Sequence, residues 1–128
     1  MNTQIQYQRW ESNPFFKLRL SNRTYIKTTF DNLVIKNAII TNYTFEKCEF
    51  LNAYLGFNVK FVNCKWINCH LSGKYLTIGP QSKFVNCNFE NTKISSANFD
   101  GSTFINSTFS GKFINITFRN KTLFKPAT

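Results

Sequence analysis

Large apolar residues recur at every fifth position along most of this chain. The spacing is strict at Phe84, Phe89, Ile94, Phe99, Phe104 and Phe109, and earlier at Leu20, Tyr25, Phe30, Ile35, Ile40, Phe45, Phe50 and Leu55. After one extra residue near Gly56 it resumes at Phe61, Trp66 and Leu71, and later, one residue short of register, at Phe113, Phe118 and Leu123. A period of five fits neither a helix nor a strand, so the chain is predicted to turn a corner in every repeat.

Two further columns accompany these central residues. Two positions before each centre the side chain is mostly small, as at Thr28, Ala38, Cys48, Ala53, Val59, Cys64, Cys69, Ser82, Cys87, Thr92, Ala97, Ser102, Ser107 and Gly111. Two positions after each centre the residue is mostly asparagine, as at Asn32, Asn37, Asn42, Asn52, Asn63, Asn68, Asn86, Asn91, Asn106, Asn115 and Asn120. Asparagine suits tight corners because it tolerates the left-handed backbone region.

With these three columns, residues 18–124 resemble the pentapeptide-repeat family. The resemblance implies an all-β fold: a right-handed quadrilateral β-helix of about five coils, with four repeats per coil and the central and small residues inside. Coils stacked at the spacing of paired strands, about 4.8 Å, would then fill a narrow core. No single repeat buries its apolar side alone, so stability is expected to come from neighbouring coils.

The departures from the repeat predict the domain organisation. Residues 1–17 lack the repeat and are expected to form a cap, with Trp10, Phe15 and Phe16 folded over the first coil; a disordered leader is the alternative. The run SGKYLTIGPQSK breaks register and predicts an inserted loop at about 72–83, with Leu76 as its one central residue. Residues 125–128 form a tail. This count superposes one aromatic residue from each coil: Tyr25, Phe45, Trp66, Phe89 and Phe109.

All four cysteines fall in the small, inward column. The spacing in CKWINC, residues 64–69, is therefore the repeat itself and not that of a zinc or thioredoxin motif. Four repeats per coil would place Cys48 below Cys69 and Cys64 below Cys87. Parallel side chains give poor disulfide torsions, so free, buried thiols are expected.

The chain is strongly basic, with 16 Lys and Arg against 6 Asp and Glu and a formal charge of +10. This balance favours an acidic partner, although a solvated basic surface without a dedicated ligand is the alternative. The repeat predicts stacked lysine pairs on three faces as candidate polyanion contacts: Lys60 with Lys83, Lys27 with Lys47, and Lys93 with Lys112.

The sequence offers no catalytic constellation. The one histidine, His70, is predicted to face outward, and the six acidic residues are dispersed. No glycine-rich phosphate loop, metal-ligand spacing or triad order occurs. We therefore expect no enzyme, no bound metal and no cofactor.

Three functional hypotheses follow. The first is a non-enzymatic interaction module, acting in some cases as an inhibitor, that binds a protein through its coil faces or through loop residues Lys74, Tyr75, Gly79 and Pro80. One branch of the family binds DNA gyrase by imitating DNA, which requires an acidic surface, so the +10 charge disfavours that role here. The second is direct binding of nucleic acid or another polyanion by the basic surface.

The third hypothesis is a luminal or extracellular recognition domain. The phrases FVNCKWINC and FVNCNFENT are similar to the luminal pentapeptide domain of synaptic vesicle glycoprotein 2, and N-x-[ST] sequons occur at Asn22, Asn42, Asn106, Asn115 and Asn120. The polar N-terminus lacks the apolar segment of a signal peptide, and no apolar run is long enough to span a membrane, so a cytoplasmic, non-membrane location is expected. Exposed apolar ends at Leu123 and Phe124 predict a homodimer through the C-terminal coil.

Overall fold

The chain folds into a single parallel β-sheet that is wound into a solenoid. The computed structural model describes residues 3–13, 15–79, 81–116 and 123–125. Fifteen strands form one sheet, and every pairing between them is parallel. The strands are β1 (Thr3–Gln6), β2 (Arg9–Glu11), β3 (Leu18–Ile26), β4 (Thr28–Asp31), β5 (Val34–Glu46), β6 (Glu49–Leu51), β7 (Tyr54–Val62), β8 (Lys65–Ile67), β9 (His70–Ser72), β10 (Thr77–Ile78), β11 (Lys83–Val85), β12 (Asn88–Ser95), β13 (Thr103–Ile105), β14 (Thr108–Ile114) and β15 (Leu123–Lys125).

Each coil presents four faces, which we number in chain order by their central residues. Face 1 holds Ile5, Phe30, Phe50, Leu71, Ile94 and Phe113. Face 2 holds Trp10, Ile35, Leu55, Ile78 and Phe99. Face 3 holds Leu20, Ile40, Phe61, Phe84 and Phe104. Face 4 holds Tyr25, Phe45, Trp66, Phe89 and Phe109, so the predicted aromatic superposition is confirmed. The predicted fold class is also confirmed: the protein is an all-β solenoid of about 5 turns.

The core is a set of stacked rings. Ring centroids lie 4.9 Å apart between Phe30 and Phe50, 4.7 Å between Phe61 and Phe84, and 4.6 Å between Phe84 and Phe104. Such pairs contribute about 0.5–1.5 kcal/mol each beyond the burial of their area. The small inward residues leave room for these rings, and the buried hydroxyls among them bond to the backbone, as Thr92 Oγ1 does to the Trp66 carbonyl at 2.9 Å.

Asparagine forms the corners, as the sequence predicts. Corner asparagines adopt positive φ, for example 58° at Asn42 and 54° at Asn86. Their side chains also join neighbouring coils in an asparagine ladder, which we define as the amide-to-amide bonds between stacked corners. The ladder includes Asn42 to Asn22 at 2.9 Å, Asn58 to Asn37 at 2.9 Å, Asn91 to Asn68 at 2.7 Å and Asn106 to Asn86 at 2.7 Å.

The N-terminal segment differs from the predicted cap, because most of it is part of the first coil. Strands β1 and β2 pair in parallel with β4 and β5 and supply faces 1 and 2 of that coil. Trp10 packs against Tyr25 and Phe30 with centroids 5.9 and 5.7 Å away, so it closes the N-terminal end of the core. Phe15 and Phe16 do not cover the coil: they lie on an excursion, named here by its bounds as 12–17, of which residues 12, 13 and 15–17 are described, and they are 89% and 76% exposed.

The predicted loop at 72–83 is also shorter in the structure. Ile78, and not Leu76, is the central residue, because β10 places Ile78 above Leu55 on face 2. Leu76 occupies the inward position two residues earlier and is buried. Only residues 73–75 leave the coil, and one further extra residue, Gly79, lies directly above Gly56 of the preceding coil.

Candidate protein-binding site

The 73–75 excursion is shaped by a close backbone approach at Gly73. This glycine has φ +117°, and a Cβ added to it would lie 2.6 Å from the Asn52 backbone nitrogen. The turn is closed by Leu76, whose N–H donates to the Gly73 carbonyl at 3.2 Å. The Tyr75 N–H donates to Asn52 Oδ1 at 3.5 Å. The excursion is therefore held over Asn52 in a conformation that favours glycine.

The excursion raises one wall of a depression on face 2. Tyr75 is 67% exposed, and the Lys74 Nζ lies 5.4 Å from the centre of its ring. The space is about 420 Å³ and is lined by Tyr54, Lys74, Tyr75, Leu76, Thr77, Ser96, Ala97 and Asn98. The Tyr54 ring in this lining has the Lys36 Nζ 5.5 Å from its centre. Two tyrosine rings, each in a cation–π pair, thus line an open hollow with a mixed apolar and polar floor.

Two other predicted contact residues do not join this surface. Gly79 is buried, and a Cβ there would lie 2.9 Å from the Ser102 Cβ. Including it among the partner contacts is therefore wrong, because its role is to fit an extra residue into the coil. Pro80 lies outside the described residues. Tyr54 and Lys36 were missed because their importance depends on which coil stacks beside the excursion.

The predicted lysine pairs are stacked but lie on separate surfaces. Lys60 pairs in register with Lys83 on face 3, and Lys93 with Lys112 on face 1. Lys27 and Lys47 follow the paired residues Ile26 and Glu46 and form the corner between faces 4 and 1, with φ of 49° and 54°. All six side chains are exposed.

The four cysteines are free and buried, as predicted. Each thiol donates to backbone carbonyls; Cys69 Sγ, for example, lies 3.2 Å from the Phe45 oxygen and 3.4 Å from that of Ile67. The hydrogen bond with the Cys48 sulfur, together with burial, holds the pKa of Cys69 far above its usual range. The pairing with Cys64 and burial do the same to the pKa of Cys87. These thiols are core groups and not an exposed reactive site.

Within the described residues, no group of three His, Cys, Asp or Glu side chains could hold a metal ion. No helix in that same part of the chain is long and apolar enough to cross a membrane. Strand β15 pairs with β13 and places Phe124 beside Phe104. The side chains of Leu123 and Phe124 lie outside the described residues, so the homodimer stays a prediction.

A comparison with protein-family models finds the repeat in part of the chain. The family model described as "Pentapeptide repeats" matches residues 81–111. Among solved structures, the chain is similar to trypsin-treated QnrB1, a plasmid-mediated fluoroquinolone resistance protein, at 11% identity over 88% of this chain and 74% of that one, with a TM-score of 0.27. No curated protein matches the chain. The similarity to the synaptic vesicle domain stays a prediction.

Proposed function

We propose that this β-solenoid, in which residues 81–111 match the pentapeptide-repeat family model, is a non-enzymatic interaction module whose face 2 binds a protein partner. The observation that carries this proposal is the 73–75 excursion, which holds an exposed tyrosine and a lysine above an otherwise regular face. Long regular scaffolds commonly place their specific contacts on such excursions.

The chemistry of the hollow fits a protein surface. Tyr54, Tyr75 and Lys74 beside a mixed floor give area, hydrogen bonds and charge in one place, and tyrosine is enriched among the residues that dominate interface energetics. Tyr54 and Tyr75 are each restrained by a lysine above the ring, so ordering them on binding costs little conformational entropy. The hollow is open and shallow, which suits a protruding side chain of a partner better than an enclosed small molecule.

The partner would dock against a rigid scaffold. The floor residues Leu76 and Ala97 are buried in the core, and Thr77 pairs with Tyr54 in the sheet. A standard interface covers about 800 Å² per partner. That area exceeds the hollow, so the binding footprint would extend over neighbouring outward residues of face 2, including the partly exposed Phe57.

A comparison of matched variants tests the proposal. Protein partners captured from the source cells by the wild-type chain would be compared with those captured by Lys74→Ala/Tyr75→Ala. The control is Lys112→Ala/Tyr7→Ala, which also removes one exposed lysine and one exposed tyrosine, but on other surfaces. We expect one partner to be lost with the first variant and kept with the control, with at least a tenfold weaker Kd for the purified pair. Equal binding by both variants would contradict the assignment to face 2.

We place this activity in the cytoplasm, and the luminal alternative makes a separate prediction. Asn42 and Asn106 each donate an amide N–H to the asparagine ladder. A glycan on either nitrogen would replace one N–H and add bulk beside a stacked neighbour. Mass spectrometry of the native protein is therefore expected to find both asparagines unmodified, and a glycan at either would favour the luminal role.

A further inference from the structure

Face 3 is the one face of the described solenoid without an acidic side chain. Glu11 and Asp100 flank the centres of face 2, while the other four acidic residues, Asp31, Glu46, Glu49 and Glu90, lie on faces 1 and 4. Outward from face 3, the positions before each centre carry Arg19, Ile39, Lys60, Lys83 and Thr103 in register. The face therefore concentrates positive charge that is not neutralised locally.

The charge on face 3 forms a single file. Lys60 and Lys83 lie on adjacent coils, about 4.8 Å apart along the solenoid, and Arg19 lies two coils from Lys60, at about 10 Å. Beside this file runs a column of half-buried, mostly apolar side chains, namely Thr41, Val62, Val85 and Ile105. The resulting pattern is a file of three cations, interrupted at Ile39, next to a column of mostly apolar groups.

The 12–17 excursion adds two exposed rings at the N-terminal end of this file. Phe15, Phe16, Lys17, Arg19 and Ile39 line one hollow of about 400 Å³. Asn13 Oδ1 accepts the N–H groups of Phe15 and Phe16 at 2.9 and 3.0 Å. The two rings are therefore displayed by a hydrogen-bonded turn.

The first residue of the excursion, Ser12, is also held in place. Asn37 Nδ2 donates to the Ser12 carbonyl at 2.9 Å, which ties the turn to the second coil. Adjacent phenyl rings exposed to this degree on a highly charged surface point to a partner that covers them. That partner has to cover both exposed rings and also carry negative charge opposite Arg19, Lys60 and Lys83.

We propose that face 3 and the 12–17 excursion bind single-stranded nucleic acid. The phosphates would follow the file of Arg19, Lys60 and Lys83, and bases would stack on Phe15 and Phe16, as in other single-strand binders that combine a basic track with aromatic rings. A duplex presents two rows of phosphates, one from each strand, on either side of a groove about 12 Å wide. The single file of cations on face 3 does not match two such rows.

The test measures the anisotropy of fluorescent oligothymidylate and oligouridylate, each about 20 nucleotides long, with the full chain at about 50 and 200 mM salt. We expect Lys60→Gln/Lys83→Gln to weaken binding at least tenfold at low salt. It should also reduce the slope of log K against log salt by about 1.4, which is two phosphate contacts at about 0.7 each. The Phe15→Ala/Phe16→Ala variant should lose at least about fivefold in affinity with an unchanged slope.

The matched control is Lys27→Gln/Lys47→Gln, which removes the same charge from another stacked pair. This control should change the affinity for the oligonucleotides less than threefold. The variant Lys74→Ala/Tyr75→Ala should leave that affinity unchanged, so the failure of this inference can be told apart from the failure of the protein-binding proposal. Urea midpoints confirm that each variant is folded. The inference is overturned if the wild type does not bind at low salt, if both lysine pairs matter equally, or if duplex DNA binds more tightly. Tighter binding to vesicles containing phosphatidylserine would overturn it in favour of a membrane surface.

Discussion

The indole ring of Trp66 lies flat on the phenyl ring of Phe89, with centroids 4.4 Å apart and planes inclined by 2°. The pair continues upward to Phe109 and downward to Phe45, at 4.9 and 5.4 Å. Trp66 is also the one described residue with a buried side-chain polar atom, its Nε1, that has no hydrogen-bond partner. The widest ring of the core is therefore both its best-stacked group and a source of uncompensated desolvation.

This conflict predicts an unequal response to substitution at Trp66. Trp66→Ala removes the stack and leaves a cavity, so it should lower the free energy of unfolding by about 3–5 kcal/mol. Trp66→Phe keeps a stacked ring and removes the unpaired N–H, so its cost should stay below about 1.5 kcal/mol. Urea unfolding followed by circular dichroism measures both. Similar losses for Ala and Phe would contradict this prediction, because they would mean that a stacked phenyl ring recovers none of the packing.

The asparagine ladder predicts that backbone conformation and hydrogen bonding contribute separately at one corner. Asn91 has φ 46° and donates to Asn68 at 2.7 Å. Asn91→Ala loses the bond and strains the left-handed residue by about 1–2 kcal/mol, whereas Asn91→Gly loses the bond without that strain. Ala should therefore be the more destabilising of the two in urea unfolding. Equal losses would show that the corner relaxes when the side chain is removed.

Gly73 should control the shape of the protein-binding hollow. Gly73→Ala places a Cβ against Asn52 at φ +117°, so the 73–75 excursion must move away from the coil. We expect binding of the face 2 partner to fall at least tenfold, with a stability loss of about 1–3 kcal/mol. Limited proteolysis at Lys74 would report the displaced loop, and Lys74→Ala provides the control for cleavage there. A variant with normal binding and unchanged proteolysis would show that the excursion does not need this conformation.

The buried thiols predict how stability depends on pH. Because the pKa values of Cys69 and Cys87 are raised from the ordinary value of 9.0, the folded state holds these protons more tightly than the unfolded state. The stability that these two groups contribute should be fully present below pH 8 and be lost as the pH rises through about 9 and beyond. Burial also raises the pKa values of Tyr25 and Tyr43, which extends the loss to higher pH.

Urea midpoints at pH 7, 9 and 10 measure this dependence. The variant Cys69→Ala/Cys87→Ala should show a smaller decline between pH 7 and pH 9. A thiol reagent at pH 8 should react with none of the four cysteines in the native protein and with all four in guanidinium. Rapid labelling of the native chain would contradict the assignment of these thiols to the core.

The repeat was predictable from the sequence because each position has one dominant physical demand. Rings such as Phe84 and Phe89 fill the interior, cysteines such as Cys64 fit where space is small, and asparagine occupies left-handed corners. The position of Ile78 was not predictable by counting from Leu71, because Leu76 is equally apolar and also points inward. Only the pairing of β10 with β7 distinguishes a central residue from an inward neighbour.

The candidate sites were predictable to different degrees. Lys74 and Tyr75 stand out because they lie where the period breaks. The 12–17 excursion gives no such signal: residues 1–17 lack the small and asparagine columns, but Trp10, Phe15 and Leu20 keep five-residue spacing while Phe15 lies outside the coil. An insertion of one whole repeat length is invisible to periodicity. The strand pairings of β2 and β3 with β5 reveal it.

The stacked glycines Gly56 and Gly79 form a bulge that two neighbouring coils share at one corner. Each adds one residue after the centre of face 2, and the Gly79 N–H donates to the Leu55 carbonyl at 2.9 Å, so one bulge rests on the other. Where Gly56 faces the second coil, which lacks an extra residue, β5 and β7 shift register between Ile35 and Lys36 and then regain it, with Ile40 opposite Phe61. This corner therefore absorbs an extra residue locally, and single-residue insertions or deletions here are expected to leave the later strand pairings intact.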